Sequence, residues 1–325
     1  MPRLKASLLL SLVTLLAPAL LLAQGANPAV PGTLNYVEGQ VSINGQVVNW
    51  FSVGSSQLHE GQVVETGYGK AEILLTPGVF LRLGDNSAVK MISPNLAKTE
   101  VELIKGRADI EVDQLFKQNN LRVKIGGSEA RLLKTGLYAF NFESGVVQVF
   151  DGEARVLPAD GGQKRIVVKQ GHELAMNGDG EKPKHFDKDA SKDALYNWSS
   201  LRSEYLGEAN VQMASAYEGA PGFAPGWFWD AGLYGYTWLP GDGAFFDPFG
   251  YGFYSPYYLF DGGFVYGYGR GFGRGGYRGE YRNGQISFHG ERAVGGFNDG
   301  NGSAFQAGGR AFHGGDGGAS GGGHR

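Results

Sequence analysis

Alternation of apolar and polar residues over residues 60–87, EGQVVETGYGKAEILLTPGVFLRLGDNS, restricts the fold more than any other stretch. Ala71, Ile73 and Leu75 alternate with Glu72, Leu74 and Thr76; beyond Pro77-Gly78, Val79, Leu81 and Leu83 alternate with Phe80 and Arg82. A period of two sends successive side chains to opposite faces of a strand, so the pattern predicts a hairpin with one buried and one more open face. Pro77-Gly78 and Gly84-Asp85-Asn86 supply the reversals, because Gly, Asn and Asp adopt positive φ at low cost.

The same grammar runs through residues 34–176. Turn signals such as Glu38-Gly39, Asn44-Gly45, Lys105-Gly106, Gly126-Gly127 and Asp151-Gly152 separate short alternating runs. Ala108, Ile110 and Val112 form one run, Leu121, Val123 and Ile125 another, and Val147 with Val149 and Ile166 with Val168 two more. The expectation is a mainly β domain, a sandwich or roll of short antiparallel strands.

Several pieces of this region occur in a recognisable order. They are Glu38-Gly39-Gln40-Val41, residues 58–61, ETGYGKAEILLTPGVFLRLGDNS, VELIKGRADIEV at 101–112, LLKTGLYAFNF at 132–142, GVVQVFDGEARV at 145–156, and Gln170-Gly171. In that order they resemble the FecR-like domain family. Thr135-Gly136 departs from the family's usual Gly-Thr, which implies a shifted turn. The resemblance implies a β module of the periplasm or cell surface. In the family's best-known arrangement such domains relay a signal from an outer-membrane receptor to a cytoplasmic anti-sigma segment. Seven residues precede the apolar run that starts at Leu8. The chain is therefore expected to be similar to stand-alone exported members, without an anti-sigma segment of its own.

Arg3 and Lys5, an apolar run over 8–22 and Ala23 follow the signal-peptide pattern, so 1–23 is expected to be a cleaved leader. The run falls short of the about 20 apolar residues that a spanning helix needs. An uncleaved membrane anchor is the alternative. The formal net charge of −3 argues against duplex nucleic acid as a partner. The absence of cysteine excludes disulfides, thiolate metal ligands and thiol catalysis.

Residues 177–190 are polar and of mixed charge and read as a linker. Asp187, Asp189 and Asp193 fit only the first positions of a calcium loop, so a solvated linker is preferred to a metal site. Over 191–217, Leu195, Trp198, Leu201, Tyr205, Ala209 and Met213 recur at steps of three and four, predicting an amphipathic helix capped by Asp189 or Ser191. It either packs on the protein's own β domain or aromatic segment, or serves a partner.

Residues 223–264 form an irregular aromatic segment rich in Gly and Pro, and 265–325 a Gly/Arg-rich tail expected to be disordered. Trp227, Trp229, Trp238, Tyr251 and Tyr254 are the candidate binding surface, for glycan or peptidoglycan; a cap on the β domain and self-association are the alternatives. Arg270, Arg274, Arg278 and Arg282, interleaved with tyrosines, resemble single-strand-binding Arg-Gly-Gly segments. Nearby acids and the expected export make nucleic acid an unfavoured partner.

No catalytic, cofactor or metal site is expected. Ser128, Ser144 and Ser199 lie in no nucleophile elbow, neither an H-E-x-x-H nor a Walker loop occurs, and His59-Glu60 and His172-Glu173 fall at turns. The sequence thus points to an exported, non-enzymatic FecR-like protein that binds or scaffolds in the bacterial envelope, its partner an envelope protein or wall polymer. The alternatives are a membrane-anchored signalling component working through a separate sigma-factor regulator, and a glycan-binding protein.

Overall fold

The computed structural model describes residues 29–159, 165–176 and 182–260, and the backbone of 277–282 and 285–290. The expected leader lies outside the described residues, as does most of the Gly/Arg-rich tail.

The short alternating runs form strands. The first seven are β1 (Leu34–Ile43), β2 (Gln46–Val48), β3 (Val63–Thr76), β4 (Val79–Leu83), β5 (Ala88–Asn95), β6 (Lys98–Lys105) and β7 (Arg107–Val112). Next come β8 (Arg122–Ile125), β9 (Ser128–Leu132), β10 (Gly136–Asn141), β11 (Val146–Val149) and β12 (Glu153–Leu157). The last three of the series are β13 (Ile166–Lys169), β14 (His172–Ala175) and β15 (Lys184–His185). All belong to one curled sheet, ordered β13-β12-β9-β8-β6-β5-β3-β4-β7-β10-β11-β14-β15, with β1 beside β3 and β2 beside β1. The β6–β8 pair is parallel. The other pairings are antiparallel, as hairpin turns dictate.

β3 is the pivot. Val63 to Glu65 pair with β5, whereas Ala71 to Thr76 pair with β4, and β1 runs along both halves. At the change-over β1 and β3 nearly touch. A Cβ on Gly39, whose φ is +67°, would lie 2.2 Å from the Tyr68 carbonyl oxygen, and one on Gly69 would lie 2.3 Å from that of Glu38. Thr66 Oγ1 donates to the Gly84 oxygen at 2.6 Å and accepts from the Ser87 amide at 2.9 Å, pinning the corner.

The inward residues are those the alternation predicts: Ala71, Ile73 and Leu75 of β3, Val79, Leu81 and Leu83 of β4, and Ala108, Ile110 and Val112 of β7 lie in one core. The other face departs from expectation. Rather than being open, Glu72, Leu74, Phe80, Arg82, Asp109 and Glu111 are buried as well.

What covers them is the C-terminal part of the chain. Helix α1 (Ala194–Ala216) starts at Asp193, whose carboxylate accepts from the Tyr196 amide at 2.8 Å. Asp189 and Ser191 do not cap it: Asp187 folds the preceding turn by accepting from the Asp189 and Ala190 amides, while its carbonyl accepts from Ser191. The buried side of α1 includes Leu195 and Ala209 of the expected stripe, together with Ser199, Arg202, Ser203, Leu206, Asn210, Val211 and Ala214, while Leu201 and Tyr205 face solvent. That side is rotated from the apolar stripe because the sheet face it meets is charged, and polar residues complement it.

The aromatic segment is more regular than its Gly and Pro content suggests. Strands β16 (Gly226–Asp230) and β17 (Gly235–Leu239) form one hairpin, β18 (Ala244–Phe246) and β19 (Gly252–Tyr254) a second, followed by α2 (Pro256–Phe260). Tyr236, Trp238 and Phe253 pack with Leu206 of α1 onto Leu74 and Phe80 of the sheet. Farther on, β20 (Tyr277–Arg282) pairs with β21 (Gln285–Gly290).

Asn210 ties the helix to both hairpins. Its Nδ2 donates to the Trp238 oxygen at 2.8 Å and the Tyr254 oxygen at 3.2 Å, and its Oδ1 accepts from the Tyr254 amide at 2.8 Å. A buried backbone group left without a partner costs about 1–3 kcal/mol. Asn210→Ala is therefore expected to lower the unfolding free energy by at least about 2 kcal/mol in urea titrations. Gln212→Ala, on the exposed side of the same helix, is expected to change it by less than about 0.5 kcal/mol.

Candidate functional site

The outward positions of β3, β4 and β7 fall into rows set by strand register. Glu72 lies opposite Arg82, and Arg82 opposite Asp109; Leu74 lies opposite Phe80, and Phe80 opposite Glu111. Three strands thus carry four ionisable groups into a space that α1 and the first hairpin close.

Arg82 is the centre of this network. Its Nε donates to Glu72 Oε2 at 2.8 Å and its Nη1 to Glu111 Oε2 at 2.5 Å. Glu72 Oε1 accepts from Arg202 Nη2 of α1 at 2.9 Å and from Asn35 Nδ2 at 2.8 Å. Ser203 Oγ donates to Glu111 at 2.5 Å and Ser199 Oγ to Asp109 at 3.0 Å. The Arg202 guanidinium also lies 4.1 Å above the Tyr36 ring. Asn35 extends the network to the aromatic cap, donating to the Tyr236 oxygen at 3.0 Å and accepting from its amide at 2.7 Å.

The electrostatics divide these acids into two kinds. Burial opposes ionisation of Glu72, but Arg202 and then Arg82 outweigh it and hold its pKa down to about 2. Asp109 has no direct arginine partner. Burial, then repulsion from Asp193, pushes it up to about 7, against the hydrogen bond from Ser199 and the pull of Arg82 and Arg107. Asp113 and Asp247 are also raised, first by burial and then by the negative charge of Glu111. Asp247 Oδ1 accepts from the Phe249 and Tyr251 amides, whereas Asp113 has the Glu111 carboxyl beside it, and a hydrogen bond between the two raises Asp113 further.

Chemically the arrangement is a clamp. Two arginines from different elements meet at one glutamate, and serines of α1 each donate to one oxygen of Asp109 and Glu111. Among the described residues no three His, Asp or Glu side chains are placed to hold a metal ion. Asp187 closes a turn, Asp189 pairs with Lys192 at 2.6 Å, and Asp193 caps α1 and pairs with Arg107. Ser199, the one of the three serines that meets a carboxylate, is wholly buried. His172 stacks on His185 across β14 and β15 at 3.9 Å, and His59 is exposed.

The five aromatic candidates do not form one exposed surface. Trp238 is 0% exposed and Tyr254 5%, so neither offers a ring face to a ligand. Trp227 packs edge-on against Phe80 at 5.1 Å, Trp229 against Tyr236 at 5.1 Å, and Tyr251 lies half-buried near Glu204. Trp227 and Trp238 belong to the cluster seated on Leu74 and Phe80, whereas Tyr251 and Tyr254 lie against α1. The buried charges were not singled out from the sequence. The local signal is that Glu72, Arg82, Asp109 and Glu111 all occupy the outward positions of alternating runs; that these runs become neighbours, β3-β4-β7, is set by the sheet topology.

A curled β sheet closed by its own C-terminal helix and aromatic hairpins defines the class of protein. The resemblance to FecR holds in particular over residues 62–155, which match the family model described as FecR protein. That span takes in β3 to β12 and stops short of α1. No curated protein matches the chain. Two crystal structures of a "putative anti-sigma factor" from Parabacteroides distasonis are similar at 12% and 11% identity, with TM-scores of 0.33 and 0.34. Each comparison covers 43% of this chain and 64% of the other, so the chain spans under two thirds of those structures' length.

Two outcomes test the clamp. Arg82→Met leaves Glu72 and Glu111 buried beside a neutral side chain and is expected to destabilise by about 3–5 kcal/mol in urea. The second concerns pH. Asp109 keeps its proton in the fold up to about 7 while the unfolded chain loses it near 3.8, so its contribution to stability falls as pH rises between those values. For Glu72 the sign is opposite: its contribution is full above 4.5 and is lost as pH falls toward about 2. Melting curves of Asp109→Asn across this range should lose part of the decline toward neutrality. Those of Glu72→Gln should lose part of the acid sensitivity.

Proposed function

We propose that the protein is an exported, non-enzymatic FecR-like protein with a binding or scaffolding role in the bacterial cell envelope, in contact with an envelope protein or wall polymer. The observation that carries this reading is the FecR match over residues 62–155, which falls on the strands that build the sheet. Export is supported by the N-terminal pattern of basic residues, apolar run and small residue. A non-enzymatic role fits a site whose ionisable groups are sealed from solvent, because catalysis needs groups that substrate can reach.

The sealed face also bears on where a partner binds. The outward side of β3, β4 and β7 is occupied by α1 and the first aromatic hairpin, so contacts fall on other surfaces unless the cover lifts. A second reading, a component of envelope signalling that acts through a separate regulator, draws on the same family match. It requires retention of the apolar N-terminal run in a membrane.

In-cell crosslinking of the tagged protein, followed by mass spectrometry, tests both. The expected result is a leader-free protein crosslinked to a specific envelope component. Capture of a sigma-factor regulator, with membrane retention through an alkaline wash, moves the assignment to the second reading. A cytoplasmic product with its leader intact overturns both.

A further inference from the structure

Among the exposed aromatic residues, three meet at one place on the surface. Trp50 is 54% exposed, Phe51 65% and Tyr234 40%. They come from segments far apart in sequence: a short 3₁₀ turn at Trp50–Ser52 and the turn between β16 and β17. Phe51 stacks on Trp50 at 3.6 Å, and Trp50 meets Tyr234 edge-on at 5.2 Å. Tyr234 in turn meets Trp229 at 5.2 Å, which packs on buried Tyr236. The row of rings therefore runs from solvent into the core.

The row is held rigidly. Asn49 Oδ1 accepts from the Phe51 amide at 3.0 Å and Ser52 Oγ from the Asn49 amide at 3.2 Å, a reciprocal cap on the turn. Gly54 donates to the Leu34 oxygen at 2.9 Å and leaves room for Trp229, since a Cβ there would lie 2.7 Å from that ring. Tyr234 has φ of +52°, a region that bulky side chains rarely adopt and that costs of order 1–3 kcal/mol. Solvent-exposed rings and a strained tyrosine that meet at one place stabilise nothing by themselves. Such features persist where a surface is used.

The chemistry of the patch selects the ligand. No charged residue occurs between positions 39 and 58 or between 231 and 241, so a charged ligand would find no counter-ion in either segment. Of the large apolar residues exposed in these segments, Val47 alone is aliphatic; the rest are rings. Ring faces carry negative quadrupole charge and attract the partly positive C–H face of a sugar. Gln46 and Asn49 are exposed beside them and offer amide groups to hydroxyls.

We propose that Trp50, Phe51 and Tyr234 form a platform for an uncharged polysaccharide. None of the three is among the aromatic residues that the sequence alone suggests, although Trp229, which is, supports Tyr234 from behind, and the site does not depend on the FecR match.

The test is retention of the full chain on chitin and on microcrystalline cellulose, with chitohexaose and cellohexaose titrated by calorimetry. Wild-type protein should bind one of these. Trp50→Ala should weaken binding at least about tenfold, the equivalent of one lost ring contact. Tyr234→Gly should weaken it likewise while leaving the melting temperature within a few degrees of wild type, because relief of the positive φ offsets the lost ring contacts and the freer unfolded chain. That pairing separates lost recognition from lost folding. Absence of binding to all four probes, or binding unchanged in both variants, overturns the proposal. Capture of a protein partner that the same variants abolish also overturns it, in favour of protein docking. A failed platform beside an envelope protein recovered by crosslinking leaves the broader functional reading standing.

Discussion

Arg82, held between Glu72 and Glu111 with almost no access to water, is the interaction on which the rest of the structure depends. A guanidinium is expensive to desolvate, and its attraction to two carboxylates offsets that only when geometry and further hydrogen bonds are good. Here the further bonds come from α1, through Arg202 to Glu72 and Ser203 to Glu111. The sheet thus presents a face that water or this helix can satisfy, but that an apolar helix could not. Specificity of docking follows: sliding α1 by one turn would set Leu206 against the acids and leave Arg202 without Glu72.

The apolar contacts are arranged around that polar centre. Phe80 and Leu74 flank the charged row and receive Trp238, Phe253 and Leu206. Asn35 and Asn210 perform the same task at the two sides of the cap, each offering both donor and acceptor to the backbone of the aromatic hairpins. Hydrophobic burial supplies most of the driving force and the polar groups fix where the pieces sit.

Much of the β domain was legible because alternation, glycine turns and strand length are local properties. The inward row Ala71, Ile73, Leu75 could be read from the chain directly. The fate of the outward row could not, because it is decided by residues 90 to 130 positions away. The same limit explains the helix. Its period was visible, but the apolar residues Leu201 and Tyr205 face solvent while Ser199, Arg202 and Ser203 face inward, since the partner surface is charged. For the aromatic segment, composition announced large apolar area but not its seat. Trp238 went to Phe80, and exposure passed to Trp50 and Phe51 in a stretch that composition does not mark. The 3₁₀ turn that displays them has only a modest local signal, Asn49 with Ser52 three residues on.

The boundary of the FecR match near residue 155 has a consequence of its own. The matched span ends before α1, yet the outward side of the matched strands is dry only because α1 lies on it. The matched span and the cooperative unit are therefore different lengths of chain. Any relative that keeps the strands and exchanges the C-terminal part must also retune the outward row. Glu72, Arg82, Asp109 and Glu111 then read as a record of which cover a particular chain carries, and strand sequence alone becomes informative about a segment that lies beyond it.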